Sequence, residues 1–249
     1  MEFRDLTAIV TGAGQGMGRE IALVLAQAGV RPAVCDVQEG LLSETVTLLE
    51  QAGAQGVIHG VVDVSDGEGV RNFVAQVERE AGRLDILVNN AAIHPLHFIE
   101  DIEEDEWDKV FAINIKSCYH FIRAALPGMK ERTFGRIINI ASEAGKNGGT
   151  VCAPHYAATK GAVLGLTRNL ARNVGSHGIT VNAIAPGRIA TAMAGAVSDE
   201  ENAVFIERSA VKRLGQPVDV ARAVKFLADP TSVFITGETL NVNGGTLMD

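Results

Sequence analysis

The sequence has few cysteines and no concentrated positive charge, and both shortages narrow the range of functions. Its 249 residues include three cysteines, Cys35, Cys118 and Cys152, whose odd number and wide spacing fit neither a disulfide framework nor a zinc site. We therefore expect a reducing, cytoplasmic compartment. The net charge is −8 and the lysines and arginines form no cluster, which argues against nucleic acid or an anionic membrane surface as a partner.

Long apolar runs and interdomain linkers are also missing. No apolar stretch approaches the ~20 residues of a transmembrane helix, and the first residues lack the apolar core of a signal peptide. The histidines are scattered without metal-ligand spacing, so no metal site is predicted. No Pro/Ser-rich linker or break in composition divides the chain, so we expect a single domain over residues 1–249.

Short apolar strands alternate with amphipathic helices in the first half of the chain. The predicted strands end at Thr11, Asp36, Val62 and Val88, and a helical stretch follows each of the first three. This rhythm predicts parallel strands joined by right-handed crossovers in a doubly wound α/β sheet. The strand order should reverse between the first and fourth strands, which opens a crevice for a dinucleotide.

A glycine-rich turn follows the first predicted strand. Gly12, Gly16 and Gly18 fit the spacing Gly-x-x-x-Gly-x-Gly, whereas Met17 breaks the more usual Gly-x-Gly-x-x-Gly pattern. Between a strand and a helix, such glycines let backbone N–H groups approach a pyrophosphate. We interpret the turn as part of a cofactor site, with a ligand-free glycine loop as the alternative.

Asp36 closes the second predicted strand, about 20 residues beyond the glycine turn. A carboxylate at this place accepts hydrogen bonds from the adenosine ribose hydroxyls and repels a 2′-phosphate. Val37 follows it, and no neighbouring Arg or Lys would receive such a phosphate. The sequence therefore favours NAD over NADP, although Asp36 could instead cap the helix that follows.

Ser142, Tyr156 and Lys160 offer the chemistry of proton transfer. Ser142 follows a predicted buried strand, and open α/β sheets bind ligands just outside the carboxyl ends of their strands. Tyr156 and Lys160 lie four residues apart, on one face of a helix whose first turn suits Pro154. An ammonium within ~4–6 Å would lower the phenol pKa from its usual ~10. The Ser142 hydroxyl could donate to a carbonyl oxygen that gains charge; the alternative is a solvated helix pair beside a loop hydroxyl.

Further polar residues are predicted near the same cleft. Asn114 lies among apolar residues in a predicted helix over residues 103–126 and needs hydrogen-bond partners if it is buried. His94 and His97, in the loop after the fourth strand, could touch substrate, although such histidines are more often only exposed. The less regular segment 192–212 is the best candidate for a substrate lid.

Together these motifs resemble the classical short-chain dehydrogenase/reductase family over nearly the whole chain. The resemblance implies a single-domain Rossmann fold with a seven-stranded parallel sheet in the order 3-2-1-4-5-6-7 and helices on both faces. Residues 1–92 would mainly bind the dinucleotide, and residues 93–249 would form the catalytic half. The chain departs from the family's Asn-Asn-Ala-Gly motif only at Ala92, a mild change on a turn. Family members are usually homotetramers or homodimers that pair the long helices around Asn114 and Tyr156.

The family's catalytic tetrad is similar, one for one, to Asn114, Ser142, Tyr156 and Lys160. The resemblance implies that Tyr156 donates or accepts the proton, Ser142 orients the substrate oxygen, and Lys160 lowers the Tyr156 pKa and binds the nicotinamide ribose. Asn114 would hold a water molecule in a proton relay. The implied reaction is reversible hydride transfer between a secondary alcohol carbon and C4 of the nicotinamide ring.

The expected cofactor residues lie at the glycine turn, at the ends of later strands and in the segment after the sixth strand. They are Gly12, Gln15, Gly16, Met17, Gly18, Asp36, Val37, Asp63, Val64, Asn90, Ala91, Ala92, Tyr156, Lys160, Pro186, Gly187, Ile189 and Thr191. The expected substrate residues are polar or flexible side chains near the cleft. They are His94, Glu143, Asn147, His155, Arg188 and Met193.

Three functions remain open for the sequence. The first is an NAD-linked dehydrogenase of a small sugar, polyol or hydroxy acid, which Asp36 motivates. The second is a 3-oxoacyl thioester reductase, for which Lys130, Arg132 and Arg136 are a sparse candidate patch for an acyl-carrier protein; such enzymes usually prefer NADPH. The third is a non-catalytic NAD-binding regulator, against which the intact tetrad argues.

Overall fold

Seven parallel strands form one sheet at the centre of the fold, in the order β3-β2-β1-β4-β5-β6-β7. The strands are β1 (Thr7–Thr11), β2 (Arg31–Asp36), β3 (Ile58–Val61), β4 (Ile86–Asn89), β5 (Gly135–Ile140), β6 (Ile179–Pro186) and β7 (Thr239–Val242). The computed structural model describes residues 2–149, 152–191 and 199–248. The predicted doubly wound fold and its strand order are confirmed.

Helices cover both faces of the sheet. They are α1 (Gly16–Gln27), α2 (Glu39–Gln51), α3 (Gly67–Ala81), α4 (Glu104–Phe111), α5 (Ser117–Glu131), α6 (Ala144–Asn147), α7 (Pro154–Val174), α8 (Asp199–Arg208) and α9 (Pro217–Ala228). None of the helices within the described ranges is long and apolar enough to cross a membrane.

Two apolar layers hold the helices on the sheet. Phe73, Phe121 and Leu164 belong to the layer beneath α3, α5 and α7, and Leu25 and Leu49 belong to the layer beneath α1, α2 and α9. Every residue of β1, β5 and β6 is buried. Strands covered on both faces read as continuous apolar runs, which is why the sequence pattern reveals them.

The helix predicted over residues 103–126 is interrupted. It consists of α4, a π-helical turn at Ala112–Lys116, and α5, which extends to Glu131 with Pro127 inside it. The π turn contains Asn114, which is buried. Single π turns inserted in α-helices are frequently found at functional sites, and the hydrophobic periodicity of the sequence does not reveal this one.

The carboxyl ends of the strands place the expected site residues along one edge of the sheet. Asp36 ends β2, Asn90 directly follows β4, and Ser142 follows β5 by two residues. The segment predicted as a lid is described only in part. Residues 192–198 lie outside the described ranges, and α8 occupies residues 199–208.

Candidate active site

Ser142, Tyr156 and Lys160 meet at the carboxyl edge of β5. Pro154 opens α7, as predicted, which puts Tyr156 in the first turn of that helix. The Tyr156 and Ser142 side chains are joined by a hydrogen bond. Lys160 Nζ lies 5.6 Å from the centre of the Tyr156 ring and donates a hydrogen bond of 2.8 Å to the Ile140 carbonyl oxygen. The structure therefore brings the predicted proton-transfer residues together.

The pKa of Tyr156 shifts in the direction opposite to the predicted one. Burial raises the pKa of Tyr156 to about 12, although the hydrogen bond with Ser142 acts to lower it. Burial also lowers the pKa of Lys160 to about 8. The Lys160 ammonium donates to a backbone carbonyl, and desolvation is the largest effect on the Tyr156 phenol. At neutral pH the phenol is therefore protonated and can donate a proton.

Asn114 is engaged with the loop that follows β4. Its Oδ1 accepts a hydrogen bond of 2.8 Å from the Ile93 N–H, and its Nδ2 donates one of 2.9 Å to the Ile93 carbonyl. The expected need for partners is met, because the buried amide ties the π turn to this loop. The same loop carries His94.

His94 packs its ring against the Tyr156 ring, with centroids 4.0 Å apart. Its Nε2 atom is buried and has no hydrogen-bond partner among the described residues. Burial, with a further contribution from the positive charge of Arg188, lowers the pKa of His94 to about 4. A neutral imidazole beside the phenol can donate to or accept from a polar group of a bound substrate.

His155 does not line the cleft, and its prediction as a substrate residue is wrong. The side chain is fully buried, with Nε2 lying 3.0 Å from Glu106 Oε1. Its Nδ1 accepts a hydrogen bond of 3.0 Å from the Tyr156 N–H. Successive residues of a helix point about 100° apart, so the neighbour of Tyr156 turns away from the cleft.

The cleft contains the other described substrate candidates. Its lining includes the predicted residues His94, Glu143, Asn147 and Arg188. Met193 lies outside the described residues. The lining also includes Cys152 and Phe205, which the sequence analysis missed. Cys152 could have been found because it lies only four residues before Tyr156, just ahead of α7, whereas Phe205 comes from α8, far along the chain.

The glycine turn is closed against the end of β4. Gly12 has a φ of +62°, and a Cβ atom on Gly18 would lie 2.1 Å from the Gly12 carbonyl oxygen. Asn90 Nδ2 donates hydrogen bonds of 2.9 Å to the Thr11 carbonyl and 3.1 Å to the Gly12 carbonyl. The turn has the shape that the predicted role requires, and α1 begins at Gly16 with its N–H groups at the edge of the cleft.

Asp36 lies beside this turn. Its Oδ2 accepts a hydrogen bond of 2.9 Å from the Gly14 N–H, and its Oδ1 accepts one of 2.9 Å from the Gln38 N–H. The second bond supports the alternative that Asp36 organises the start of α2. A carboxylate has about four lone-pair positions, so both oxygens can still accept from a ribose. Val37 is 63% exposed beside it.

Most of the remaining cofactor candidates lie in two places. Met17, Pro186, Gly187, Ile189 and Thr191 line the cleft together with Tyr156. Asp63, after β3, accepts hydrogen bonds of 2.8 Å from the Ser65 N–H and 2.7 Å from the Ser65 hydroxyl. Val64 is buried. These positions fit a dinucleotide that runs from the end of β3 across the glycine turn to Tyr156.

The basic patch considered for an acyl-carrier protein does not form. Arg136 is buried at 1% exposure and donates a hydrogen bond of 2.9 Å to the Pro230 carbonyl. Arg132 donates one of 2.6 Å to the Leu84 carbonyl and lies 3.8 Å from the Asp85 carboxylate. Only Lys130 of the three is exposed. Within the described ranges, no group of three or more His, Cys, Asp or Glu residues could hold a metal ion.

Comparisons with known proteins agree with this geometry. A family model described as enoyl-(acyl carrier protein) reductase matches residues 12–246. A 3-oxoacyl-[acyl-carrier-protein] reductase of Staphylococcus aureus is 40% identical over 244 residues, which are 97% of this chain and 98% of that protein.

Two solved structures are also similar to this chain. A 3-oxoacyl-[acyl-carrier protein] reductase with bound NAD from Brucella melitensis has a TM-score of 0.90 and 36% identity, covering 98% of this chain and 92% of that one. A putative gluconate dehydrogenase from Agrobacterium tumefaciens has a TM-score of 0.93 and 30% identity, covering 98% of this chain and 96% of that one.

Proposed function

The chain belongs to the short-chain dehydrogenase/reductase family and is an oxidoreductase that acts on a CH–OH group, and we propose that it interconverts 3-oxoacyl and 3-hydroxyacyl compounds with NAD(H). The observation that carries the reaction type is the meeting of Ser142, Tyr156 and Lys160 at the cleft, with the Tyr156 phenol hydrogen-bonded to Ser142. The reductase relatives support the substrate class, and Asp36 supports the cofactor.

Proton transfer is the part of the reaction that the side chains perform. In the direction of reduction, the Tyr156 hydroxyl donates its proton to the substrate carbonyl oxygen while Ser142 holds that oxygen by a hydrogen bond. In the direction of oxidation, Tyr156 takes the proton back. When bound, a nicotinamide cofactor supplies or accepts the hydride. Lys160 would contact the cofactor ribose, and Asn114 would hold the loop that carries His94.

The choice of NAD(H) is argued from Asp36. A 2′-phosphate beside this carboxylate would place two anions together. The next residue, Val37, is apolar and cannot neutralise the phosphate as an arginine or lysine would. The similar reductase structure with bound NAD supports the view that this fold can hold NAD. Three unpaired cysteines are consistent with our expectation that the enzyme works in the reducing cytoplasm.

The proposed substrate is a small molecule, and the group that carries its acyl chain is left unspecified. Arg136 is buried and Arg132 is engaged with the Leu84 carbonyl, so nothing in that patch favours an acyl-carrier protein over a smaller thioester. A hydroxy acid or sugar acid is the second candidate. The cleft is lined by the polar residues Arg188, Glu143 and Asn147. One of the similar solved structures is that of a putative gluconate dehydrogenase.

The first test is a fluorescence titration of the purified protein with NADH and with NADPH, followed by turnover assays. We expect tighter binding of NADH, reduction of an acetoacetyl thioester with NADH, and slower oxidation of gluconate and polyols. Tighter binding of NADPH would contradict the role of Asp36. Failure to reduce the thioester with either cofactor, together with oxidation of gluconate, would replace the first substrate class by the second.

Asp36→Ala tests the cofactor assignment directly. We expect NADH binding to weaken by about tenfold and discrimination against NADPH to fall, because ribose hydrogen bonds and charge repulsion are both removed. Asp66→Ala is the matched control, since its carboxylate caps the start of α3 after a neighbouring strand and is not among the expected cofactor residues. An unchanged NADH/NADPH ratio in Asp36→Ala would leave Asp36 with the capping role alone.

A further inference from the structure

Glu106, on α4, accepts hydrogen bonds from two histidines that lie far apart in the sequence. His97 Nδ1 is 2.9 Å from Glu106 Oε1 and 2.8 Å from Oε2. His155 Nε2 is 3.0 Å from Oε1. The carboxylate thus joins the loop after β4 to the first turn of α7. Its pKa is lowered by the hydrogen bond from His97 and also by that from His155, so it stays ionised as an acceptor for both.

His155 completes the start of the helix that carries Tyr156. The residue before α7 is Ala153, whose side chain cannot cap the first N–H groups. The Tyr156 N–H donates instead to His155 Nδ1, at 3.0 Å. Because Nδ1 accepts, the ring proton must lie on Nε2, which donates it to Glu106. Glu106 therefore fixes both the tautomer and the orientation of the fully buried His155 ring.

His97 connects the same carboxylate to the opposite side of Tyr156. It lies three residues after His94, in the loop that Asn114 holds at Ile93. The His94 ring covers the Tyr156 ring at 4.0 Å. Glu106 consequently anchors two segments that enclose the phenol: the helix start beneath its backbone and the loop over its ring.

We propose that Glu106 is a positioning residue for proton transfer, acting through His155 on the backbone of Tyr156 and through His97 on the ring of His94. The inference rests on the proposed function, which gives Tyr156 the proton-transfer role. It extends the site beyond Asn114, Ser142, Tyr156 and Lys160. A displacement of about 1 Å in a reacting group can reduce the rate by as much as a hundredfold, so a second layer that holds Tyr156 is a substantial contribution.

The test compares Glu106→Ala and Glu106→Gln with wild type. Glu104→Ala is the matched control, because Glu104 is an exposed carboxylate on the same helix with no side-chain hydrogen bond in the described part of the chain. We expect kcat to fall about tenfold in Glu106→Ala, with the Kd of NADH within about twofold of wild type. Glu106→Gln keeps one acceptor oxygen and should retain an intermediate kcat, while Glu104→Ala should match wild type.

His97→Ala provides a second measurement if Glu106→Ala does not fold. Its side chain is 51% exposed, so its loss removes the loop half of the connection with little cost to folding. We expect kcat to fall by about threefold or more with NADH binding unchanged. A kcat within twofold of wild type in both Glu106→Ala and His97→Ala would overturn the inference. So would a fall in thermal stability that follows the same order of variants while kcat per folded enzyme stays constant.

The outcomes separate this inference from the proposed function. A wild-type protein with no turnover on thioesters, gluconate or polyols would refute the proposed function. A wild-type protein that turns over substrate, loses activity in Tyr156→Phe and keeps it in Glu106→Ala would refute the positioning role alone.

Discussion

Lys160 is a buried lysine whose charge opposes folding. At pH 7 its amine is protonated in the folded and unfolded chain, and the desolvation cost of the folded state is fully present. Between its lowered pKa of about 8 and the ordinary value of 10.5, the folded chain binds fewer protons than the unfolded chain. Stability from this group therefore rises as the pH increases through that window.

Lys160→Met tests this effect by removing the charge at similar length. From pH 7 to pH 10, the free energy of unfolding of wild type should rise relative to that of the variant by on the order of 2 kcal/mol. Chemical denaturation of both proteins at several pH values measures the difference. Parallel stability curves for the two proteins would contradict the assignment. Turnover should be lost in Lys160→Met at every pH.

Tyr156→Phe tests the proton transfer with the smallest possible change. Removal of the hydroxyl should reduce kcat by at least about a thousandfold, because the group that transfers the proton is lost. NADH binding should stay within about twofold of wild type, since the ring and its contact with His94 are kept. Steady-state kinetics and fluorescence titration measure the two quantities. Retained turnover would remove Tyr156 from the proposed role.

At the scale of elements, the turn between β1 and α1 depends on the absence of a side chain at one position. A methyl group at Gly18 would lie 2.1 Å from the Gly12 carbonyl oxygen and 2.6 Å from Asn90 Nδ2. Gly18→Ala should therefore displace the turn from the end of β4. We expect NADH affinity to fall more than tenfold and stability to fall by roughly 1–3 kcal/mol, as for other overpacked sites.

The control for this element is Gly40→Ala. Gly40 lies in α2, and a Cβ atom there would meet nothing within 4 Å. Alanine favours a helix over glycine by up to about 1 kcal/mol, so this variant should melt at the same temperature as wild type or higher. Equal NADH affinity in wild type and Gly18→Ala would show that the turn is not part of the cofactor site.

At the scale of the whole molecule, we expect a homotetramer or homodimer. The outer surface between α4, α5 and α7 has a depression lined by Phe111, Ile115, Tyr119 and Leu166. Partly exposed apolar side chains grouped on helices are a common basis for association between copies of a chain. Light scattering after gel filtration should give two or four times the mass of the chain. A monomer at micromolar concentration would contradict this expectation.

The sequence by itself determined the fold and the approximate place of the site. Strands covered on both faces are continuous apolar runs, and the turn glycines lie directly between β1 and α1, so both are visible in local patterns. Tyr156 and Lys160 share a helix face because their spacing matches one helical turn. These features depend on residues that are near one another in the chain.

Tertiary structure alone decided which polar residues are buried and what they contact. His94 and His155 both lie near Tyr156. His94 faces the cleft, whereas His155 faces Glu106, which is 49 residues away from it in the sequence. Arg136 was considered for a basic patch that would bind a carrier protein, and it lies in the interior. The pKa of Tyr156 rises because desolvation outweighs its hydrogen bond. Burial and long-range contacts follow from how distant elements pack together, and no local pattern of residues encodes that packing.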